Sequence, residues 1–242
     1  MSQHHEVLSL ILEDEGGLNE NEPVHVGGVS YAGITQQTYD GWCAPNNPVK
    51  SVKDLANHPD LVHEFYEDYF TKYHVWELPE CLQYIFADFV VNAGSAAVKI
   101  IQRFAGVDDD GIWGSGTSEA VLQWKLGVDK EIASDPNADN ELITAFHEQK
   151  IQHYTFLATE NPQKYGQYLS GWKQRANKVL SRLSKYFESE APAPKAFADD
   201  DPMQVEQSPT VPDIKIDLSK VSDAELIAEL SRRLGVSYNG QT

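Results

Sequence analysis

Apolar positions recur at helical spacing through most of the first 187 residues, broken by short polar stretches that carry glycine. Val7, Leu8, Leu10, Ile11 and Leu12 predict a first helix, and Gly16-Gly17 ends it just after Glu15. Residues 18–35 are rich in turn formers and predict an irregular loop or a short β-excursion. Ser51 and Asp54, at capping-box spacing, predict a short helix. Leu61, Phe65, Tyr69 and Tyr73 predict a longer one, with Tyr66 and Trp76 close by. Leu82, Ile85, Phe86, Phe89 and Val90 fit a buried helix over residues 80–92 that stops at Gly94, and Ser95 opens another that stops at Gly106. The turn Asp110-Gly111-Ile112-Trp113-Gly114 follows, with Asp110 expected to accept from backbone donors and Thr117 or Ser118 expected to cap the next helix. Asp139 or Asn140 is expected to cap a long helix through Leu142, Phe146, Gln149 and His153. Asn161-Pro162 restarts the chain, and a last helix follows Gly171-Trp172. The pattern is that of a mainly α fold with one small β or loop excursion after the first helix.

The composition changes near residue 188. Ala-Pro repeats, an Asp199-Asp200-Asp201 run and further prolines predict a stiff acidic linker over 188–221. Ser222 and Glu225 then open a short amphipathic helix with Leu226, Ile227, Leu230 and Leu234, so 222–242 is read as a tail that docks on this protein or on a partner. Residues 1–94 and 95–187 are expected as two packed parts ahead of it.

At 242 residues the chain has room for a sizeable core, and its formal charge is −18. That charge argues against nucleic acid, whose phosphates need clustered Lys and Arg. No run reaches membrane-spanning length, so membrane insertion is not expected, and no secretory signal is visible. Two cysteines, Cys43 and Cys81, make no disulfide framework, and free thiols are expected. The eight histidines show no metal-ligand spacing. No metal and no cofactor are predicted, and a monomer is expected.

Candidate chemistry gathers at Glu15. A carboxyl in the last turn of a helix meets unpaired backbone carbonyls, which disfavour its ionised form, and partial burial acts in the same direction. A retained proton is what a general acid needs to cleave a glycosidic bond. Glu15-Gly16-Gly17 followed by Gly27-Gly28-Val29-Ser30 and Gly33-Ile34-Thr35 resembles the signature of the N-acetylmuramidases of glycoside hydrolase family 108. Leu78-Pro79, the run Asp88-Phe89-Val90-Val91-Asn92-Ala93-Gly94, and Gly171-Trp172 with Arg175 extend that resemblance over roughly residues 3–185. The Asp-to-Thr turn at 110–117 is similar to peptidoglycan-binding repeats.

The resemblance implies a lysozyme-like helical domain, peptidoglycan as substrate and Glu15 as the catalytic acid. It also implies action at the bacterial wall after release from the host cytoplasm, as for a phage endolysin working with a holin. The family's Asp-rich segment is not reproduced here. Glu22 is the best stand-in for a second carboxylate, with Glu20 and His25 behind it. Ser30 falls where the family usually has Thr, and its hydroxyl could hold a water or bond the acid. Thr35 either packs or contacts substrate, and among the aromatics Tyr73 is a candidate subsite residue. Asp88 and Asn92 share a helix face, either as a polar pair bridging elements or with Asn92 bonding a sugar acetamido group. Trp113 is a candidate for sugar contact, and Arg175 for either a buried ion pair or a ligand. A lytic transglycosylase and a non-catalytic wall-binding or virion protein are the rival readings.

Overall fold

The computed structural model describes residues 3–20, 29–42, 49–135 and 137–190, with side chains described from residue 4 and as far as residue 183. Met1–Ser181 forms one compact unit. The second, Arg182–Thr242, is described only through the end of the last helix, so the expected linker and tail helix, Cys43, Glu22 and His25 lie outside the described residues.

The first helix, α1 (Gln3–Glu15), buries Val7, Leu8 and Ile11. It stops where Gly16 takes a φ of 74° and donates its N–H to the Leu12 carbonyl. The excursion that follows is a three-stranded antiparallel sheet of two-residue strands, β1 (Leu18–Asn19), β2 (Ser30–Tyr31) and β3 (Ile34–Thr35). Ser30 pairs with Asn19 on one side and Thr35 on the other. Ala32 and Gly33 join β2 to β3, both with positive φ (47° and 74°) as a two-residue hairpin turn requires. Ala32 has a Cβ and is strained there; its N–H bonds the Gly17 carbonyl and its carbonyl accepts from the Tyr66 hydroxyl at 2.6 Å, which over-determines the turn.

Thr35 then caps α2 (Gln36–Trp42) through its hydroxyl, which accepts from the Thr38 N–H. Ser51 caps a 3₁₀ turn over Val52–Asn57, as its spacing predicts. Pro59 starts α3 (Pro59–Lys72), whose Phe65, Tyr66 and Phe70 are buried.

The centre is α4 (Glu80–Ala93). Every residue from Cys81 to Val90 is buried, so this helix is covered on all sides, packing against α1, α5 (Ser95–Phe104) and α7 (Ala138–Glu160). Between the last two runs α6 (Ser115–Ile132). It starts earlier than expected: Thr117 and Ser118 lie inside it, accepting from Gln102 and from the Trp113 indole respectively, and neither caps it. Gln102, also buried, donates to Asp110 and accepts from the Gly111 N–H, while Asp110 accepts from Ile112 as predicted. The long α7 begins at Ala138 after Asn137, so Asp139 and Asn140 are helical residues too. Asn161 caps α8 (Pro162–Tyr165), and α9 (Leu169–Glu190) returns the chain to the end of α1. Cys81 is a buried free thiol on α4.

Candidate active site

The end of α1 is clasped by α9. Arg175 donates from Nη2 to Glu15 Oε1, and from Nε to Asp88 Oδ1 at 2.7 Å. Three residues on, Lys178 donates to Asp14 Oδ1 at 2.7 Å, while the Tyr84 hydroxyl takes the other Asp14 oxygen at 2.8 Å. Beneath these lies Lys150 of α7, which donates to Asp88 Oδ2. Lys150 and Asp88 are fully buried, Arg175 is 26% exposed and Glu15 is 9% exposed, so Lys150, Asp88, Arg175 and Glu15 form a line of alternating charge rising from the core to a partly open carboxyl.

That order decides what Glu15 can do. Burial raises its pKa above the ordinary carboxylate value; Arg175 pulls it back without cancelling the effect, and Asp88 and Asp14 add to the rise. Burial works against the Arg175 charge as well, but Asp88 and Glu15 outweigh it and hold the guanidinium above its usual value. The result is a carboxyl that keeps a proton more readily than a free glutamate while one of its oxygens is gripped.

The other oxygen, Oε2, faces the hairpin turn. A Cβ placed on Gly33 would come within 2.5 Å of Oε2 and 3.2 Å of the Tyr66 hydroxyl. Gly33 thus leaves the room that a side chain would take from the free oxygen. Gly33→Ala should therefore cost more than the ~1–2 kcal/mol of a left-handed backbone, since its Cβ also overlaps the gripped carboxyl at 2.5 Å, read as a clear fall in Tm. By displacing the carboxyl it should lower any turnover that depends on Oε2 roughly 10²-fold. Wild-type turnover in that variant would mean that Oε2 is not the reacting atom.

Residues 8–94 match the family Glycosyl hydrolase 108, and residues 96–177 match a family described as Predicted Peptidoglycan domain. Residues 8–94 form a glycosyl hydrolase 108 domain. Glu15, Gly33 and Asp88 all lie within that domain, whereas Lys150 and Arg175 come from the peptidoglycan-domain part. Among solved structures the chain is similar to SagA of Brucella abortus, with 24% identity, a TM-score of 0.56, and 78% of this chain and 98% of that chain covered. At that identity the likeness concerns the fold alone. Comparison with curated proteins gives no match. The two matches together support a peptidoglycan hydrolase in general.

The remaining candidates of the glycosyl hydrolase 108 domain scatter. Ser30 sits on the middle strand, opposite Thr35, and Thr35 spends its hydroxyl on capping α2. Asp88, placed by its spacing on a face with Asn92, is not a surface group: both its oxygens are taken by Arg175 and Lys150, out of reach of a sugar. The Asn92 amide donates to the Asp88 backbone carbonyl at 2.7 Å, within its own helix. Tyr73 ends α3 with its ring 4.9 Å from that of Tyr69. Outside the domain, Trp113 lies flat on His74, ring centroids 4.5 Å apart, so one of its faces is covered. Glu20 pairs with Lys53 at 2.5 Å on the surface. Among the described residues no group of His, Cys, Asp and Glu could hold a metal ion.

Lys150 is the buried member of this line of charges that sequence reasoning passed over. The signal was present: Phe146, Lys150 and Tyr154 are four apart, and a lysine on an apolar helix stripe needs a buried counter-charge.

Proposed function

We propose that the chain is an N-acetylmuramidase, hydrolysing the β-1,4 bond between N-acetylmuramic acid and N-acetylglucosamine with Glu15 as general acid. What supports this reading is the Glu15 carboxyl itself, its pKa raised by burial, gripped at Oε1 by Arg175, and with Oε2 facing the Gly33 turn. Glu15 gives its proton to the leaving glycosidic oxygen as positive charge develops on the muramic acid ring. Water then attacks the ring carbon and its proton restores the acid.

The partner group is Glu22, or a water held by Ser30. Asp88 and Asp14, the two carboxylates acting on Glu15 electrostatically, are both committed to cations. This commitment also suits a lytic transglycosylase, in which the muramic 6-hydroxyl attacks in place of water and a single acid suffices. Peptidoglycan binding by residues 96–177 belongs to the same proposal, with Trp113 offering one ring face. Action at the wall after holin-dependent release, in the manner of a phage endolysin, is supported by the sequence resemblance alone.

The test is mass spectrometry of purified peptidoglycan digested by the wild type and by Glu15→Gln. New reducing muramic acid ends, absent with the variant, are the expected result. Anhydro-muramic ends would move the protein to the transglycosylases, and no new ends on several wall types would overturn the enzyme reading of Glu15.

A further inference from the structure

Arg175 stands 160 residues from Glu15, on the helix that closes the peptidoglycan-domain part. Its guanidinium is a fork with one prong in the core and one in the site. The Nε prong binds Asp88 Oδ1 at 2.7 Å, and Asp88 cannot follow it outward because Lys150 holds the second oxygen in a fully buried pair. The Nη2 prong is therefore delivered to Glu15 Oε1 from a base anchored in the core. A parallel tether, Lys178 to Asp14, fixes the next turn of α9 against the same end of α1. Arg175 and Lys178 of one helix thus hold the adjacent carboxylates Glu15 and Asp14.

We propose that Arg175 is a positioning residue of the glycosidase site, holding the Glu15 carboxyl in its donating orientation and receiving the carboxylate that proton transfer leaves behind. The peptidoglycan-domain part then completes the catalytic site as well as serving the wall. This rests on the reading of Glu15 as the acid. Chemically, the O–H bond at Glu15 Oε2 breaks, the proton goes to the glycosidic oxygen, and the new negative charge is shared with Oε1, where Arg175 already donates. Burial alone would give an acid that holds its proton too tightly; Arg175 makes it a stronger acid and pins its rotamer.

The groups facing Glu15 from the packed elements are Asp14 on its own helix, Tyr66 and Tyr69 on α3, Asp88 on α4 and Arg175 on α9, with Lys150 behind Asp88. Among the described residues in contact with it, only Arg175 carries positive charge. Its loss is therefore expected to move the alkaline limb of the kcat profile to higher pH.

The experiment measures kcat, KM and the pH profile on purified peptidoglycan for the full chain. It compares the wild type, Glu15→Gln, Arg175→Met and Arg175→Lys, and adds carbon-13 NMR titration of the Glu15 carboxyl. Arg175→Met should lower kcat about 10²-fold with KM little changed, and both the limb and the Glu15 titration should move to higher pH. Arg175→Lys, which keeps the charge and loses the fork, should keep the limb near the wild-type position while kcat falls. If Arg175→Met does not fold, Arg175→Lys still decides: wild-type kcat in it overturns the positioning role. An unmoved limb and unmoved Glu15 titration in a folded Arg175→Met overturn it too. Activity surviving in Glu15→Gln would instead sink the assignment of the acid, and the NMR titration would still show whether Arg175 governs that carboxyl.

Discussion

Glu15→Gln should lose roughly 10²–10⁴-fold in turnover, the range that a positioned general acid supplies, and yet be at least as stable as the wild type at neutral pH. The two effects share one cause. Burial raises the Glu15 pKa in the folded protein above its unfolded value, so the folded state binds that proton more tightly. The favourable contribution is complete below the unfolded pKa and is lost as pH rises through the folded one. Wherever the group ionises in the folded protein it is therefore a net cost, which the neutral amide does not carry. Gln is close in shape, and Arg175 keeps its bond to Asp88. Thermal unfolding scanned from acid to neutral pH checks the sign: the wild type should lose Tm relative to the variant as pH rises. A variant clearly less stable at neutral pH would show that the Arg175 pair outweighs the burial of Glu15.

Asp88→Asn carries the largest expected loss of stability. Asp88 is the carboxylate that Lys150 meets in the fully buried pair, and the guanidinium of Arg175 leans on its other oxygen. An amide in its place leaves an uncompensated buried lysine, a defect of about 3–5 kcal/mol, or roughly 6–20 °C in Tm for a chain of this size. Burial already holds the Lys150 pKa below its ordinary value even with Asp88 present, so the orphaned amine should shed its proton and soften the loss. Adding Lys150→Met to Asp88→Asn removes the stranded group, so the double variant should recover part of the Tm. A double variant that simply sums two losses would mean that the pair is not energetically coupled. Turnover should fall in Asp88→Asn beyond what lost stability explains, since Arg175 would no longer be anchored.

Much of this was legible in the chain, and the illegible part has a physical reason. The order of helices follows from period 3.6 and from Gly, Pro and Ser boundaries, which are local signals. Glu15 stood out because its Gly-Gly stop and the later Gly-Ile-Thr resemble the family signature; a glutamate before Gly-Gly is by itself usually a solvated helix end. Arg175 could be flagged only as an ion-pair partner or a ligand, since nothing within its own helix names Glu15. Asp88 shows the limit most clearly. Its four-residue spacing from Asn92 is real, but which way that face turns depends on α7 and α9, and no local pattern encodes it. Lys150 hid for the opposite reason: its stripe looks like an ordinary apolar helix face with one exception, and the exception was the information. The Thr117 and Ser118 hydroxyls likewise found tertiary partners, Gln102 and Trp113, in place of the cap that their position suggested.

The clasp at α9 also has a consequence in time. Arg175 follows Glu15 by 160 positions, and Lys178 follows Asp14 by 164. At about 5–20 residues per second of synthesis, the nascent chain carries its acid for on the order of ten seconds before Arg175 and Lys178 exist to meet it. The carboxyl is thus laid down well before the groups that grip it, so a chain cut short between Glu15 and Arg175 carries the acid without the hand that aims it.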